Sequence, residues 1–106
     1  ISSDIIVKSG FMVGLGERMD EIEETLKDLK DSGCDIVTIG QYLQPSKKAM
    51  PVVEYIKPQI FEEIAQIAAQ MGFKAVLSGP LIRSSTKAYE TYLAVKEGRY
   101  GKLWIL

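Results

Sequence analysis

Aliphatic runs that end in glycine recur three times along this chain, and a segment of helical period follows each. Ile5, Ile6 and Val7, then Phe11, Met12 and Val13, flank Lys8-Ser9-Gly10 and stop at Gly14-Leu15-Gly16. Ile36, Val37 and Ile39 lead into Gly40-Gln41-Tyr42-Leu43-Gln44-Pro45, and Ala75 to Leu77 leads through Ser78 to Gly79-Pro80. Short apolar runs bounded by turn residues read as buried strands. The pattern predicts strands over Ile5 to Val13, Ile36 to Leu43 and Ala75 to Leu77.

Helical spacing fills the intervals. Ile22, Leu26 and Leu29 form a narrow apolar stripe over Met19 to Ser32, with Asp20, Glu21, Glu23 and Glu24 early and Lys27 and Lys30 late. That order of charge suits the helix dipole, and Gly33 supplies the stop. From Pro58 to Met71, Ile60, Ile64, Ile67 and Met71 share a face that Phe61, Ala65 and Ala68 broaden, so this helix is the more buried of the two. A last helix is predicted from Ser85 to Lys96, with Tyr89, Tyr92 and Leu93 inward and Lys87, Glu90 and Lys96 outward. Gly98 and Gly101 then break the pattern, and Leu103 to Leu106 is apolar enough to need a partner surface.

Strand and helix alternating three times is the signature of parallel pairing through right-handed crossovers. Near-continuous aliphatic strands agree, because a parallel sheet is covered on both faces. A closed (β/α)8 barrel takes about 250 residues. These 106 residues make either less than half of one or a small open α/β domain.

Charge and cysteine content narrow the function. Thirteen basic against fourteen acidic side chains leave no field for nucleic acid, and Lys47-Lys48 is too short a run to change that. No apolar run reaches the length of a membrane span, and the amino end carries no leader pattern. The start at Ile1 fits a processed or excised piece. Cys34 is the single cysteine and histidine is absent, so no internal disulfide can form and no thiolate–imidazole metal set can assemble. Cys34 itself reads as a small buried apolar residue.

Four stretches could carry chemistry. Gly14-Leu15-Gly16-Glu17 lacks the full dinucleotide pattern and any Walker lysine; it is either a strand-to-helix turn or a place where Glu17 and a glycine carbonyl meet a ligand. Gln41, Tyr42 and Gln44 offer uncharged donors and acceptors at a strand end, for a polar ligand or for their own loop. The following connection, Ser46 to Lys57, is longer than a structural turn requires. Lys8 within an aliphatic strand either snorkels out at an edge or points into a polar cavity. Arg83-Ser84-Ser85 stands just past a strand's carboxyl end, where α/β folds hold their ligands, yet it has no histidine or acid at hydrolase spacing.

The stretches KSGFMVGLGE, TIGQYLQPSKKAMPV and MGFKAVLSGPLIRSS, in this order and spacing from about Val7 to Ser85, resemble the carboxyl-terminal half of the lipoyl synthase family of radical S-adenosylmethionine enzymes. The resemblance implies the carboxyl-terminal part of a partial TIM-type (β/α) barrel over residues 1–106, with 98–106 as a candidate tail. It implies two 4Fe–4S clusters and S-adenosylmethionine in the complete enzyme, used to insert sulfur at C6 and C8 of a protein-bound octanoyl chain. Implied neighbours of the adenosyl cofactor are Gly14, Glu17, Gln41 and Tyr42, with Lys8 facing the cavity and orienting a carboxylate or Glu17. Ser85 is the implied oxygen ligand to the auxiliary cluster, supported by Arg83 and Ser84. Implied partners are an upstream cysteine-containing half and an octanoylated lipoyl carrier domain or glycine cleavage H protein, in the cytoplasm or an organelle matrix. The family's cysteine motifs are absent from these residues, so the chain alone is expected to be inactive and to hold no cofactor tightly. Where the family has a tyrosine and a histidine after R-S-S, this chain has Thr86 and Lys87. Where it has a basic residue and two histidines after Q-P-S, this chain has Lys47, Lys48 and Ala49. A severed barrel edge favours self-association. A non-catalytic α/β module that binds a ligand or subunit at its strand ends is the alternative.

Overall fold

A computed structural model describes residues 5–83 and 86–105. The elements run β1 (Lys8–Val13), α1 (Met19–Asp31), β2 (Ile36–Gln41), α2 (Pro58–Gln70), β3 (Ala75–Ser78), α3 (Ala88–Lys96) and β4 (Lys102–Ile105). All pairings are parallel, and the sheet order follows the chain: β1-β2-β3-β4. The sheet is open, not closed into a barrel. β2 and β3 are buried along their whole length, whereas β1 alternates and forms one edge.

Side-chain alternation divides the sheet into two faces. On one, Val13, Val37, Ile39 and Val76 meet Ile22 and Leu26 of α1 and Phe61, Ile64, Ala65 and Ala68 of α2. Burial on α2 centres on the Phe61–Ile64–Ala65–Ala68 row, with Ile60, Ile67 and Met71 at its margin. Pro58 occupies the first turn, where its missing N–H costs nothing. Ser78 Oγ donates to the Phe61 carbonyl at 2.7 Å, which fixes α2 to β3.

On the other face, Ile36, Ala75 and Leu77 pack with Ile82 and with Val95 of α3. Helices α1 and α2 therefore cover one face and α3 the opposite one, while every lateral step goes the same way. The third crossover consequently has the opposite hand to the first two, against the expectation of right-handed crossovers throughout. The turn after β3 sets this direction. Gly79 N–H donates to Ile39 O at 3.1 Å and Ile82 N–H to Gly79 O at 3.2 Å, which carries Ile82 inward over β2.

The last part of the chain departs from expectation in two further ways. Thr91, Ala94 and Val95 are the buried residues of α3, while Tyr89 and Tyr92, expected inward, are 72% and 42% exposed. Small side chains let the helix lie close to the sheet, while Tyr89 and Tyr92, three residues apart, share a side that stays exposed. Residues 102–105, within the stretch read as a candidate tail, form β4, so the partner surface of Leu103 is β3.

Candidate functional site

The polar residues after β1 and β2 converge at the carboxyl end of the sheet. Glu17 Oε1 accepts the N–H groups of Gly14 at 3.0 Å and Leu15 at 2.9 Å, closing the glycine turn before α1. Gly14 has φ +121, and a β-carbon there would meet the Glu54 carbonyl oxygen at 2.7 Å and the Gln41 amide, so only glycine fits. The Gly14 carbonyl accepts Val53 N–H at 2.8 Å and Glu54 N–H at 3.1 Å. Gln41, buried, donates from Nε2 to Tyr42 O at 2.9 Å and Glu54 O at 3.1 Å, and accepts Ile56 N–H at 2.8 Å. Tyr42 donates its hydroxyl to Met50 O at 2.6 Å, and Gln44 Nε2 donates to Ala49 O at 3.0 Å. The long connection after β2 is thus strapped to the strand ends by the side chains that the sequence singles out.

A second feature lies on the face opposite α1 and α2. A cleft of about 340 Å³ is lined by Lys8, Gly10 and Met12 of β1, Thr38 and Gly40 of β2, and Ile82 and Arg83 beyond β3. Glycine shapes it twice. A β-carbon at Gly10 would meet the Thr38 carbonyl oxygen at 2.6 Å, and one at Gly40 would collide with the Ile82 carbonyl. Arg83 Nη1 donates to Ile82 O at 2.7 Å, and the Arg83 N–H donates to Thr86 Oγ1 at 2.8 Å.

The structure therefore brings Gly14, Glu17, Gln41 and Tyr42 together and places Lys8 elsewhere. Lys8 opens β1 and Glu17 follows its far end, so Lys8 shares a cleft with Arg83 rather than with Glu17. Ser84 and Ser85 lie outside the described residues.

Three relatives connect this geometry to a family. The chain is 59% identical over 87 residues, 82% of its length, to a lipoyl synthase of Caldicellulosiruptor saccharolyticus. It is 50% identical over 92 residues to a mitochondrial lipoyl synthase of Candida albicans, and 52% identical over 89 to an apicoplast lipoyl synthase of Toxoplasma gondii. These matches cover 87% and 84% of the chain. No family model matches the chain.

Over this stretch the chain belongs to the lipoyl synthase family. It spans 30%, 24% and 16% of those three relatives, in their carboxyl-terminal part.

Iron–sulfur clusters, which the resemblance to lipoyl synthases implies, need a set of thiolates. Among the described residues no group of three or more His, Cys, Asp and Glu is placed to hold a metal. Cys34 is buried, donates from Sγ to Ile36 O at 3.1 Å, and burial pushes its thiol pKa up, away from the thiolate that a metal would require. The described residues do not fit a cluster on their own. The cleft has the volume of a small-molecule site.

Sequence reasoning missed Thr38, Met12 and Ile82 as cleft residues. The available signal was glycine inside a strand, at Gly10 and Gly40, which marks a close backbone approach.

Proposed function

We propose that this chain forms the carboxyl-terminal part of a partial TIM-type (β/α) barrel in a lipoyl synthase. The complete enzyme is a sulfurtransferase that replaces one hydrogen at C6 and one at C8 of a protein-bound octanoyl chain by sulfur. The observation that carries this reading is the identity of 50–59% over more than four fifths of the chain in the relatives above. A parallel sheet with α1 and α2 on one face and, on the other, a cleft that α3 leaves open supports it. Two 4Fe–4S clusters and S-adenosylmethionine supply the radical chemistry and the sulfur when bound. With one cysteine and no histidine, the chain needs a cysteine-bearing half for this work, and alone it is inactive and holds no cofactor tightly.

Within the complete enzyme, Gly14, Glu17, Gln41 and Tyr42 shape the rim of the adenosyl cofactor's site. Gln41 and Tyr42 do so by holding the 42–57 connection in place, and Lys8 and Arg83 line the cavity wall. Ser85 is the oxygen ligand to the auxiliary cluster, with Ser84 outside the ligand set. The acyl substrate arrives on a lipoyl carrier domain or glycine cleavage H protein, in the cytoplasm or an organelle matrix. In the assembled, anaerobically reconstituted enzyme, Ser85→Ala should change the auxiliary cluster's Mössbauer spectrum and abolish sulfur insertion, with Ser84→Ala milder. An unchanged spectrum with full lipoyl formation would overturn the assignment.

One observation favours a second reading, a non-catalytic α/β module. Helix α3 covers Ile36, Ala75 and Leu77, the face that would line a barrel's interior, where side chains alone normally fill the space.

A further inference from the structure

Arg83 is a half-buried cation with no acidic neighbour in its cleft among the described residues. None of the nine described residues lining the cleft is Asp or Glu. The ion pairs among the described residues join Arg18 to Asp20 and Glu21, Lys74 to Asp35, and Arg99 to Glu97, and none involves Arg83. Two cationic side chains, Lys8 and Arg83, border one concave surface.

The arginine is also held in place by neutral groups. Gly40 has no side chain to obstruct the Ile82 backbone, which therefore lies directly on β2. Arg83 Nη1 donates to that Ile82 carbonyl at 2.7 Å. Thr86 closes the other side: its hydroxyl accepts the Arg83 N–H at 2.8 Å, and its own N–H donates to Arg83 O at 3.0 Å. A guanidinium has five N–H donors. One hydrogen bond to a carbonyl orients it without neutralising its charge, and its fork matches a carboxylate in bidentate fashion. Beside it, the partly exposed Met12 provides apolar surface, and the cleft of about 340 Å³ is in the range of small-molecule sites.

We infer that Arg83 is a preset anion receptor, held by Gly40 and Thr86, and that its cleft takes a carboxylate attached to an apolar group. This rests on the proposed function only in taking the cleft as the ligand site. A bare phosphate would satisfy the guanidinium and leave the apolar surface of Met12 unused, so the tailed carboxylate is the ligand class the cleft favours.

The test is a titration of the isotope-labelled chain with hexanoate, and separately with inorganic phosphate and hexanamide, followed at the Arg83 side-chain N–H and the Met12 methyl. Hexanoate should shift both signals to saturation, while phosphate and hexanamide should bind at least about tenfold more weakly. Arg83→Gln should weaken hexanoate about tenfold or more. Thr86→Val should weaken it several-fold with Arg83 still present, and Thr86→Ser, which keeps the hydroxyl, should bind as the parent does. Lys96→Gln, away from the cleft, should change nothing. Hexanoate affinity untouched by Arg83→Gln, or phosphate or hexanamide binding equal to hexanoate, would overturn the inference. Hexanoate binding without lipoyl formation by the assembled enzyme would keep the receptor and remove the enzymatic reading. The reverse pattern would remove the receptor alone.

Discussion

Cys34 shows how a residue's surroundings choose between chemistry and packing. Its thiol sits in the core cluster with Val37, Phe61 and Phe73, and donates to a strand carbonyl. Burial raises its pKa above the ordinary thiol value of about 8.5, so the folded chain holds the thiol proton more tightly than the unfolded chain does. The stability tied to this proton is complete below the ordinary value and is lost as pH rises through the folded one. Urea unfolding should accordingly weaken more steeply with pH above about 8.5 in the parent than in Cys34→Ala. Parallel pH profiles would show that the thiol is not buried. This role was readable in the sequence, because a lone cysteine between a helix-ending glycine and a strand has no partner to ligate or oxidise with. Gln41 was less readable. An amide at a strand end serves a ligand or a loop equally well on paper, and only the spacing to Glu54 and Ile56 reveals that its donors and acceptor meet backbone.

At the scale of elements, period and glycine punctuation were enough for β1, α1, β2, α2, β3 and α3, within a few residues at each end. They failed for the inward face of α3 and for β4. Helix α3 has apolar and aromatic residues on all sides, so its sequence does not select an inward face, and the side it takes depends on the Gly79–Ile82 turn. Strand β4 is four residues long and gains its identity from pairing with β3. Val95 is the test of α3, since it is buried against Ile36, Ala75 and Leu77. Val95→Asp should lower the protection of the α3 amides from hydrogen exchange by about 3 kcal/mol, while α1 and α2 keep theirs. Unaltered α3 protection would place the helix away from that face. Equal loss in all three helices would mean that α3 is integral to the core.

The whole molecule is an open sheet with two edges among the described residues, β4 and β1, and apolar residues are exposed along and before the β1 edge. Ile5 and Val7 before that edge are 67% and 41% exposed, and Met12 on it is 39% exposed. Unpaired edges with apolar neighbours promote association, so light scattering should find dimers or larger species whose population grows with protein concentration. A monomer at every concentration would argue that the edge is self-sufficient. The parallel architecture was legible from strand–helix alternation, but the opposite hand of the third crossover was not, because hand depends on which way one turn leaves the sheet.

The central claim is that these residues work as part of a lipoyl synthase. Mass spectrometry of an octanoylated carrier domain tests it most directly, after anaerobic incubation with S-adenosylmethionine, a low-potential reductant and the cluster-loaded enzyme that contains this chain. The account predicts that the acyl group gains two sulfur atoms with no net loss of hydrogen, both sulfurs being held as thiols by the reductant. An octanoyl group of unchanged mass, with both clusters verified in the same sample, would contradict it.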